Sequence, residues 1–247
     1  MTILRWIVRL GFVPAILVGG NYLAITVSSS GASHAWLAAL ILGAVLASFL
    51  AENFIPYHRA WNLEHSDKWR DIFHFLINES ANFLSILALP LLAPAIPDLG
   101  FWPNNWPIWA QLLLAIFIVD FGITMAHFAS HRINWLWRFH AVHHSAKRMY
   151  GFNGLMKHPI HQLIEGVCGV APLLILGIPQ QIAWLLIVAI ALQLLLQHSN
   201  ADVRIGPFKY ILALAPAHRT SADLGIENDP DYPTGYVAQL IAPFRAR

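Results

Sequence analysis

The stretch that decides the fold is residues 107–144, which read PIWAQLLLAIFIVDFGITMAHFASHRINWLWRFHAVHH. Its first part, residues 107–130, contains one acidic residue, Asp120, and no lysine or arginine. An α-helix needs about 20 mostly apolar residues to cross a bilayer, so this run predicts a transmembrane helix. Five histidines lie between residues 127 and 144, where the apolar run ends. The stretch therefore predicts a membrane helix that leads into a histidine-rich segment.

The rest of the 247-residue chain has the same membrane character. Hydrophobic residues make up 57% of it and charged residues 11%, and its mean hydropathy is +0.55. An ordinary soluble domain has about 25% charged residues, so a soluble globule is excluded. We predict an all-α, multi-span helical membrane protein with about four to six transmembrane helices. The candidate spans are residues 7–27, 35–55, 83–97, 107–130, 160–178 and 182–199, of which 83–97 is the weakest.

The distribution of basic residues predicts the orientation. All 15 lysines and arginines fall in residues 5–9, 59–70, 132–157 and 204–247. If the spans pair as three hairpins, these segments share the side of the N-terminus, which the positive-inside tendency makes cytoplasmic. We therefore expect the N-terminus, the histidine-rich segments and the C-terminus to be cytoplasmic. A net charge of +2 without a basic stripe between aromatic residues does not favour nucleic-acid binding.

The spacing of the five histidines predicts a metal site. His127 and His131 are four residues apart, which places them on one helical face about one turn apart. His140, His143 and His144 have spacings of three and four from His140, which again groups them on one face. Imidazole is a good ligand for iron, zinc and copper, so this cluster predicts a cytoplasmic metal site.

These histidines and the neighbouring residues allow other interpretations. A histidine at the lipid–water interface can be structural, and a haem-b electron carrier needs two isolated axial histidines rather than a cluster. Asp120 either orients a ligand from two turns away or forms a hydrogen bond between helices. His158 and His161, around a proline that predicts a helix start, are weaker candidates for ligands or their supports. The single cysteine, Cys168, excludes a cysteine-based metal cluster.

Several motifs together carry a resemblance to a known family. His127-x-x-x-His131 and Leu136-Trp-Arg-Phe-His-Ala-Val-His-His-Ser145 resemble the first two histidine boxes of the fatty acid hydroxylase / sterol desaturase superfamily. Lys157-His-Pro-Ile-His161 is similar to the short His-Pro segment that follows in that family. Gln197-His-Ser-Asn200 resembles its motif at the end of the last span, and Ala217-His-Arg219 resembles the start of its third box.

The resemblance implies a membrane-embedded enzyme with a non-haem di-iron centre held mainly by histidine. Such an enzyme uses O2 to hydroxylate or desaturate a lipid, here a sterol or a fatty acyl chain. Its electrons come from an external NAD(P)H-dependent donor such as a cytochrome b5- or ferredoxin-type protein. No catalytic residue separate from the metal site is expected, and Asp120 and His158 are the candidates for supporting the ligands. The implied iron ligands are His127, His131, His140, His143, His144, His198 and His218.

The sequence departs from the family pattern after Arg219. The third box of the family reads His-x-x-His-His, whereas Ser221 and Ala222 stand where its second and third histidines are expected. We hypothesise an internal deletion at this point. The predicted domains are then a helical membrane domain over residues 1–200 and a shortened cytoplasmic C-terminal segment over residues 201–247. The alternative function is a truncated family member with an incomplete metal site and little or no catalysis, acting as a lipid-binding or scaffold protein.

Overall fold

The chain is described by a computed structural model over residues 3–63, 67–92, 99–146, 148, 150, 156–210, 214–215, 233 and 235–245. These residues form helices and turns, with one isolated β-bridge between Pro56 and Ala201. The all-α prediction is therefore confirmed. The α-helices of the described residues are α1 (Ile3–Ser29, with a π-helical turn at Ala15–Gly19), α2 (Ala35–Phe54), α3 (Lys68–Leu92), α4 (Ile108–Ser130), α5 (Asn134–His144), α6 (Pro159–Leu176), α7 (Gln180–Gln197) and α8 (Tyr236–Ile241).

Five of these helices are long and apolar enough to cross a membrane. They are α1, α2, α4, α6 and α7, and each matches a predicted span to within a few residues. The multi-span helical membrane fold is confirmed by this agreement. The sixth predicted span, residues 83–97, overlaps the last part of α3, and residues 93–98 lie outside the described residues. That span stays a prediction.

The described residues fall into two compact units. The first unit comprises residues 1–65, 147–154 and 184–227, and the second unit comprises residues 66–146, 155–183 and 228–247. The predicted boundary at residue 200 stays a prediction.

In the first unit, the buried residue Asn200 connects two segments of the chain through hydrogen bonds. The side chain of Asn200 accepts a hydrogen bond from the backbone N–H of His58 (3.1 Å) and donates to the backbone oxygen of the same residue (3.0 Å). It also donates to Asn62 Oδ1 (2.6 Å), and its own N–H donates to Glu52 Oε1 (3.1 Å). Asn200 therefore fastens the end of α7 to the loop that follows α2. In the Gln197–Asn200 motif, this residue has a structural role.

The second unit is organised by the close contact of α4 and α6. A Cβ atom added at Gly122 of α4 would lie 2.1 Å from the backbone oxygen of Cys168 and 2.9 Å from Cα of Gly169. A Cβ atom added at Gly169 would lie 2.8 Å from Cγ2 of Val119. Small residues allow membrane helices to approach this closely, which increases their van der Waals contact. The contact fixes α4 beside α6, and both helices carry histidines toward one end.

Candidate metal centre

Four of the predicted ligands come together where α4 leads into α5. His127 lies in the last turn of α4, His131 follows its last residue, and His140 and His144 lie on α5. The Nε2 atoms of His127 and His131 are 3.2 Å apart, and those of His131 and His140 are also 3.2 Å apart. His140 and His144 approach to 2.9 Å through the same atoms. These four residues form the histidine cluster.

Hydrogen bonds alone do not explain the histidine cluster. A neutral imidazole nitrogen carries either one N–H or one lone pair in the ring plane, so it serves one hydrogen-bond partner. Nε2 of His131 faces two other Nε2 atoms, and so does Nε2 of His140. A metal cation can accept the lone pairs of all four Nε2 atoms at once. Pairwise hydrogen bonds cannot serve all of these contacts, so some lone pairs, or some N–H groups, would face each other.

The spacing of the cluster fits a metal ion. With metal–nitrogen bonds of about 2.1 Å, neighbouring ligand nitrogens lie about 3.0 to 3.4 Å apart in octahedral or tetrahedral geometry. The observed separation of 3.2 Å lies within this range, and that of 2.9 Å lies at its lower end to within about 0.1 Å. Imidazole nitrogens suit iron, zinc and copper, so the donor set fits the metal class that the sequence predicts.

His140 is the buried centre of the cluster. Its side chain is 0% exposed, and its ring centroid lies 4.2 Å from that of His127 and 4.8 Å from that of His131. Burial, reinforced by the neighbouring imidazoles, holds the pKa of His140 far below its ordinary value. The ring is therefore neutral and offers a lone pair, which is the form that binds a metal.

A buried carboxylate lies beside the cluster. Oε1 of Glu165 is 3.8 Å from Nδ1 of His127 and 3.6 Å from Nδ1 of His161, four residues earlier on α6. Its other oxygen, Oε2, accepts a hydrogen bond from Lys157 Nζ (2.5 Å). His140, His161 and Glu165 form a second group of potential ligands, all buried, with the relevant atoms within 4.8 Å of one another.

Sequence reasoning missed Glu165. Its signal was nevertheless present, because the 18-residue apolar helix α6 contains this single charged residue, one turn after His161. A charge inside a membrane-spanning helix is costly unless it is paired, so such a residue marks a functional or structural site. The spacing of His161 and Glu165 places both on one face of α6.

His143 and His158, which the sequence also predicts at the site, form hydrogen bonds with backbone groups. Nδ1–H of His143 donates to the backbone oxygen of Met156 (3.3 Å), and His143 does not belong to either group of potential ligands. His158 caps α6, because its Nδ1 accepts a hydrogen bond from the N–H of Ile160 (3.2 Å) while Nε2–H donates to the backbone oxygen of Leu240 (3.2 Å). Their predicted roles as ligand and support remain predictions.

The remaining predicted site residues are Asp120, His198 and His218. Asp120 is half-buried on α4, two turns before His127, and the carboxylate found near His127 is that of Glu165. His198 lies in the first unit, where its Nδ1–H donates to the backbone oxygen of Leu194 (3.2 Å). His218, Ser221 and Ala222 lie outside the described residues. The roles assigned to Asp120, His198 and His218 stay predictions.

The C-terminal helix α8 is fastened to the segment that carries the cluster. Buried Gln239 accepts a hydrogen bond from His74 Nε2–H (2.9 Å) and donates to Ser145 Oγ (3.0 Å) and to the backbone oxygen of Pro233 (2.9 Å). Ser145 directly follows His144 in the chain. Burial lowers the pKa of His74, which keeps the ring neutral in this network. Gln239 thus couples α3, α8 and the end of α5.

We expect Gln239→Leu to destabilise the second unit. The substitution leaves buried polar atoms of His74 and Ser145 without their partner, which costs about 3 kcal/mol in total. The apparent melting temperature in detergent should fall, and metal content should fall with it, because α5 loses one of its anchors. Val237→Ala, at a position 66% exposed on the same helix, is the matched control and should leave both quantities unchanged. An unchanged melting temperature for Gln239→Leu would contradict this role.

Comparisons with known proteins find a family match over the part of the chain that carries the cluster. Residues 112–220, which include the histidine cluster, match the family model described as fatty acid hydroxylase. The chain is 32% identical over 215 residues to an ornithine lipid hydroxylase of Rhizobium tropici, across 83% of this chain and 65% of that protein. It is 31% identical over 121 residues to an alkylglycerol monooxygenase of Danio rerio, across 48% of this chain and 25% of that protein. No solved structure is significantly similar to the chain.

Residues 112–220 thus form a fatty acid hydroxylase domain, and the match and the two relatives confirm the resemblance that the histidine motifs predict. Both of these relatives are named as oxygenases that act on lipids. The chain spans less than two thirds of the length of the first relative and a quarter of the length of the second. The family match ends at residue 220, next to the position where the third box departs from the pattern.

Proposed function

We propose that this chain is a membrane-bound, O2-dependent lipid hydroxylase whose metal is iron held by the histidine cluster. The observation that carries the proposal is the convergence of four Nε2 atoms at separations of 2.9 and 3.2 Å. The named activities of the two relatives support hydroxylation of a lipid. Side chains alone do not oxidise an unactivated C–H bond, so a metal is required for this chemistry.

The protein residues hold and orient the ligands. His127 offers Nε2 to the cluster, so its Nδ1 carries the hydrogen and faces Glu165 Oε1 at 3.8 Å. A carboxylate on the far side of a ligating histidine fixes the ring and makes it a stronger ligand. Lys157 in turn holds the other oxygen of Glu165. The expected result is a set of neutral imidazoles kept in place before the metal binds.

The bound iron would supply the oxidising chemistry. One atom of O2 enters a C–H bond of the lipid as a hydroxyl group, and the other leaves as water with two electrons and two protons. We propose that the electrons come from an external NAD(P)H-dependent donor of the cytochrome b5 or ferredoxin type. The basic residues near the cluster support a cytoplasmic location, where such a donor has access.

A second candidate function is a family member without full activity. The specific observation in its favour is the presence of Ser221 and Ala222 where two further histidines are expected. In that case the chain keeps the fold and the histidine cluster, but it binds lipid without oxidising it. The two candidates differ in whether a lipid product forms.

A mass-spectrometric assay separates the two candidates. Membranes that contain the chain are supplied with 18O2, NADPH, a reductase system and either an ornithine lipid or an alkylglycerol. We expect a product that carries one 18O atom, and we expect His144→Asn to lower its yield by at least about 100-fold. His58→Asn, at an exposed histidine of the first unit, is the control and should leave the yield unchanged.

The other outcomes are equally informative. A product two mass units lighter without 18O would replace hydroxylation by desaturation. No product from protein with a full metal content, on either lipid and on a sterol, would support the inactive family member instead.

A further inference from the structure

The inference concerns a cavity at one end of the first unit. It has a volume of about 340 Å³ and lies between the first turns of α1, the end of α2 and the loop that follows α2. Cavities that bind small ligands typically measure about 300 to 1,000 Å³. Three arginines line this one, together with polar and aromatic side chains of α2 and the loop. These side chains, Arg5, Arg9, Arg59, Asn53, Asn62 and Phe54, define the arginine cavity.

Arg9 is held in place within the first unit. Its guanidinium forms an ion pair with Asp202, and its backbone oxygen accepts a hydrogen bond from the N–H of Arg204 (2.9 Å). Asp202 also lies 3.5 Å from Nε of Arg204, so two arginines share this carboxylate. Nε of Arg9 is buried and has no hydrogen-bond partner among the described residues. A charged donor without an acceptor is unfavourable, which favours an anion beside it.

The other two arginines give the cavity an excess of positive charge. Arg5 and Arg59 form no ion pair with a carboxylate in the described part of the chain. The guanidinium carbon of Arg5 lies 5.8 Å from the ring centre of Phe54, within the range of a cation–π interaction. Glu52 of α2 does not line the cavity, and its buried carboxylate accepts a hydrogen bond from the N–H of Asn200 (3.1 Å). The excess charge therefore favours a bound anion.

The surroundings of the arginine cavity indicate the source of that anion. The cavity lies at the end of two apolar helices that are long enough to cross a membrane. Trp6 of α1 is exposed near this end, and tryptophan is enriched at membrane–water interfaces. Phe54 belongs to a row of exposed apolar side chains on one face of α2, at a spacing of four residues: Leu42, Leu46, Leu50 and Phe54. A lipid with its head group in the cavity can lay its acyl chains along this face.

We propose that the arginine cavity binds a phosphate group at the membrane surface, and that an anionic phospholipid supplies it. The planar guanidinium fork of arginine matches two phosphate oxygens at once. Basic pockets between membrane helices on the cytoplasmic side bind the head groups of anionic lipids, and the sequence predicts that side for this end of α1. The positive-inside tendency explains basic residues at this end, but it does not require three arginines around one cavity.

The bound lipid has a structural consequence. Arg5 and Arg9 belong to α1, whereas Arg59 belongs to the loop that follows α2. A phosphate group that contacts arginines of both segments links α1 to this loop, so the lipid stabilises the first unit. The site needs no metal and does not depend on the proposed oxidation.

The test is a lipid titration of the whole 247-residue chain in detergent, followed by native mass spectrometry. Dioctanoyl phosphatidylglycerol is compared with dioctanoyl phosphatidylcholine, in which choline offsets the phosphate charge. We expect the wild type to prefer phosphatidylglycerol. The double variant Arg5→Gln/Arg59→Gln should bind it at least about tenfold more weakly, because it loses charge-assisted hydrogen bonds. The control Lys209→Gln/Arg245→Gln removes the same charge at two exposed positions that do not line the cavity, and it should bind like the wild type.

Thermal melting separates the two sources of phosphate and guards against loss of folding. Variants are compared only as monodisperse protein, and a ligand that binds the folded state raises the melting temperature. We expect phosphatidylglycerol to raise it for the wild type and the control, but not for Arg5→Gln/Arg59→Gln. A rise with inorganic phosphate alone, lost in the same variant, would support the phosphate site and overturn its assignment to a lipid.

Two results would overturn the proposal as a whole. One is equal binding of phosphatidylglycerol and phosphatidylcholine by the wild type, without a rise in melting temperature in inorganic phosphate. The other is an equal loss of binding in both double variants, because this would show a general attraction between a basic protein and an anionic lipid.

Discussion

Replacing His140 by asparagine is expected to have the largest effect on the metal centre. His140 is fully buried at the centre of the histidine cluster and belongs to both groups of potential ligands, so its loss should weaken metal binding more than the loss of any other member. We expect fewer than about one iron per chain and a fall in lipid hydroxylation of at least about 100-fold. The measurements are plasma mass spectrometry and the yield of 18O-labelled lipid.

The design of this experiment separates ligation from folding. Asparagine retains a polar side chain at the site, and His58→Asn gives the same change at an exposed position. The metal-free variant should melt within a few degrees of the metal-free wild type, although the variant binds much less metal. If His140→Asn keeps its iron and its activity, the cluster is not the metal centre.

Replacing Gly122 by alanine is expected to have the largest effect on the fold of the second unit. The added Cβ would lie 2.1 Å from the backbone oxygen of Cys168, which is far inside van der Waals contact. Because a backbone atom is the obstacle, α4 and α6 must move apart. We expect a loss of about 3 kcal/mol or more in stability, seen as a lower melting temperature in detergent.

The control for this substitution lies on the opposite helix. A Cβ added at Gly166 of α6 has no heavy atom within 4 Å apart from its local backbone, so Gly166→Ala fills open space. Alanine favours a helix over glycine by about 1 kcal/mol, so this variant should be neutral or slightly more stable. Equal melting temperatures for the two variants would show that the close contact of α4 and α6 is not required.

The fold was largely predictable because its signal is local. Each of the five membrane helices is a single apolar run bounded by charged or turn-forming residues, and Pro159 begins α6 as expected. The close approach of Gly122 to Cys168 was not predictable, since the two residues are 46 positions apart in the chain. Contacts between helices depend on tertiary packing, which one sequence does not specify by periodicity.

The site was predictable in part for the same reason. Spacing within a helix placed His127 with His131 and His140 with His144, and the structure brings these two pairs together. The same spacing grouped His143 with them, whereas its Nδ1 is directed to Met156. Glu165 joins the site because α6 packs beside α4, and that arrangement is tertiary. Sequence spacing thus predicts which histidines of one helix lie together better than it predicts their neighbours from other helices.

The close contact of α4 and α6 also constrains how a hydrophobic molecule reaches the histidines. At Gly122, about one and a half turns before His127, backbone atoms of the two helices are separated by less than the width of a side chain. No hydrocarbon chain fits between them at this level. A membrane lipid that travels to His127 from the bilayer must therefore pass along another face of α4. The contact between α4 and α6 closes the direct path between these two helices.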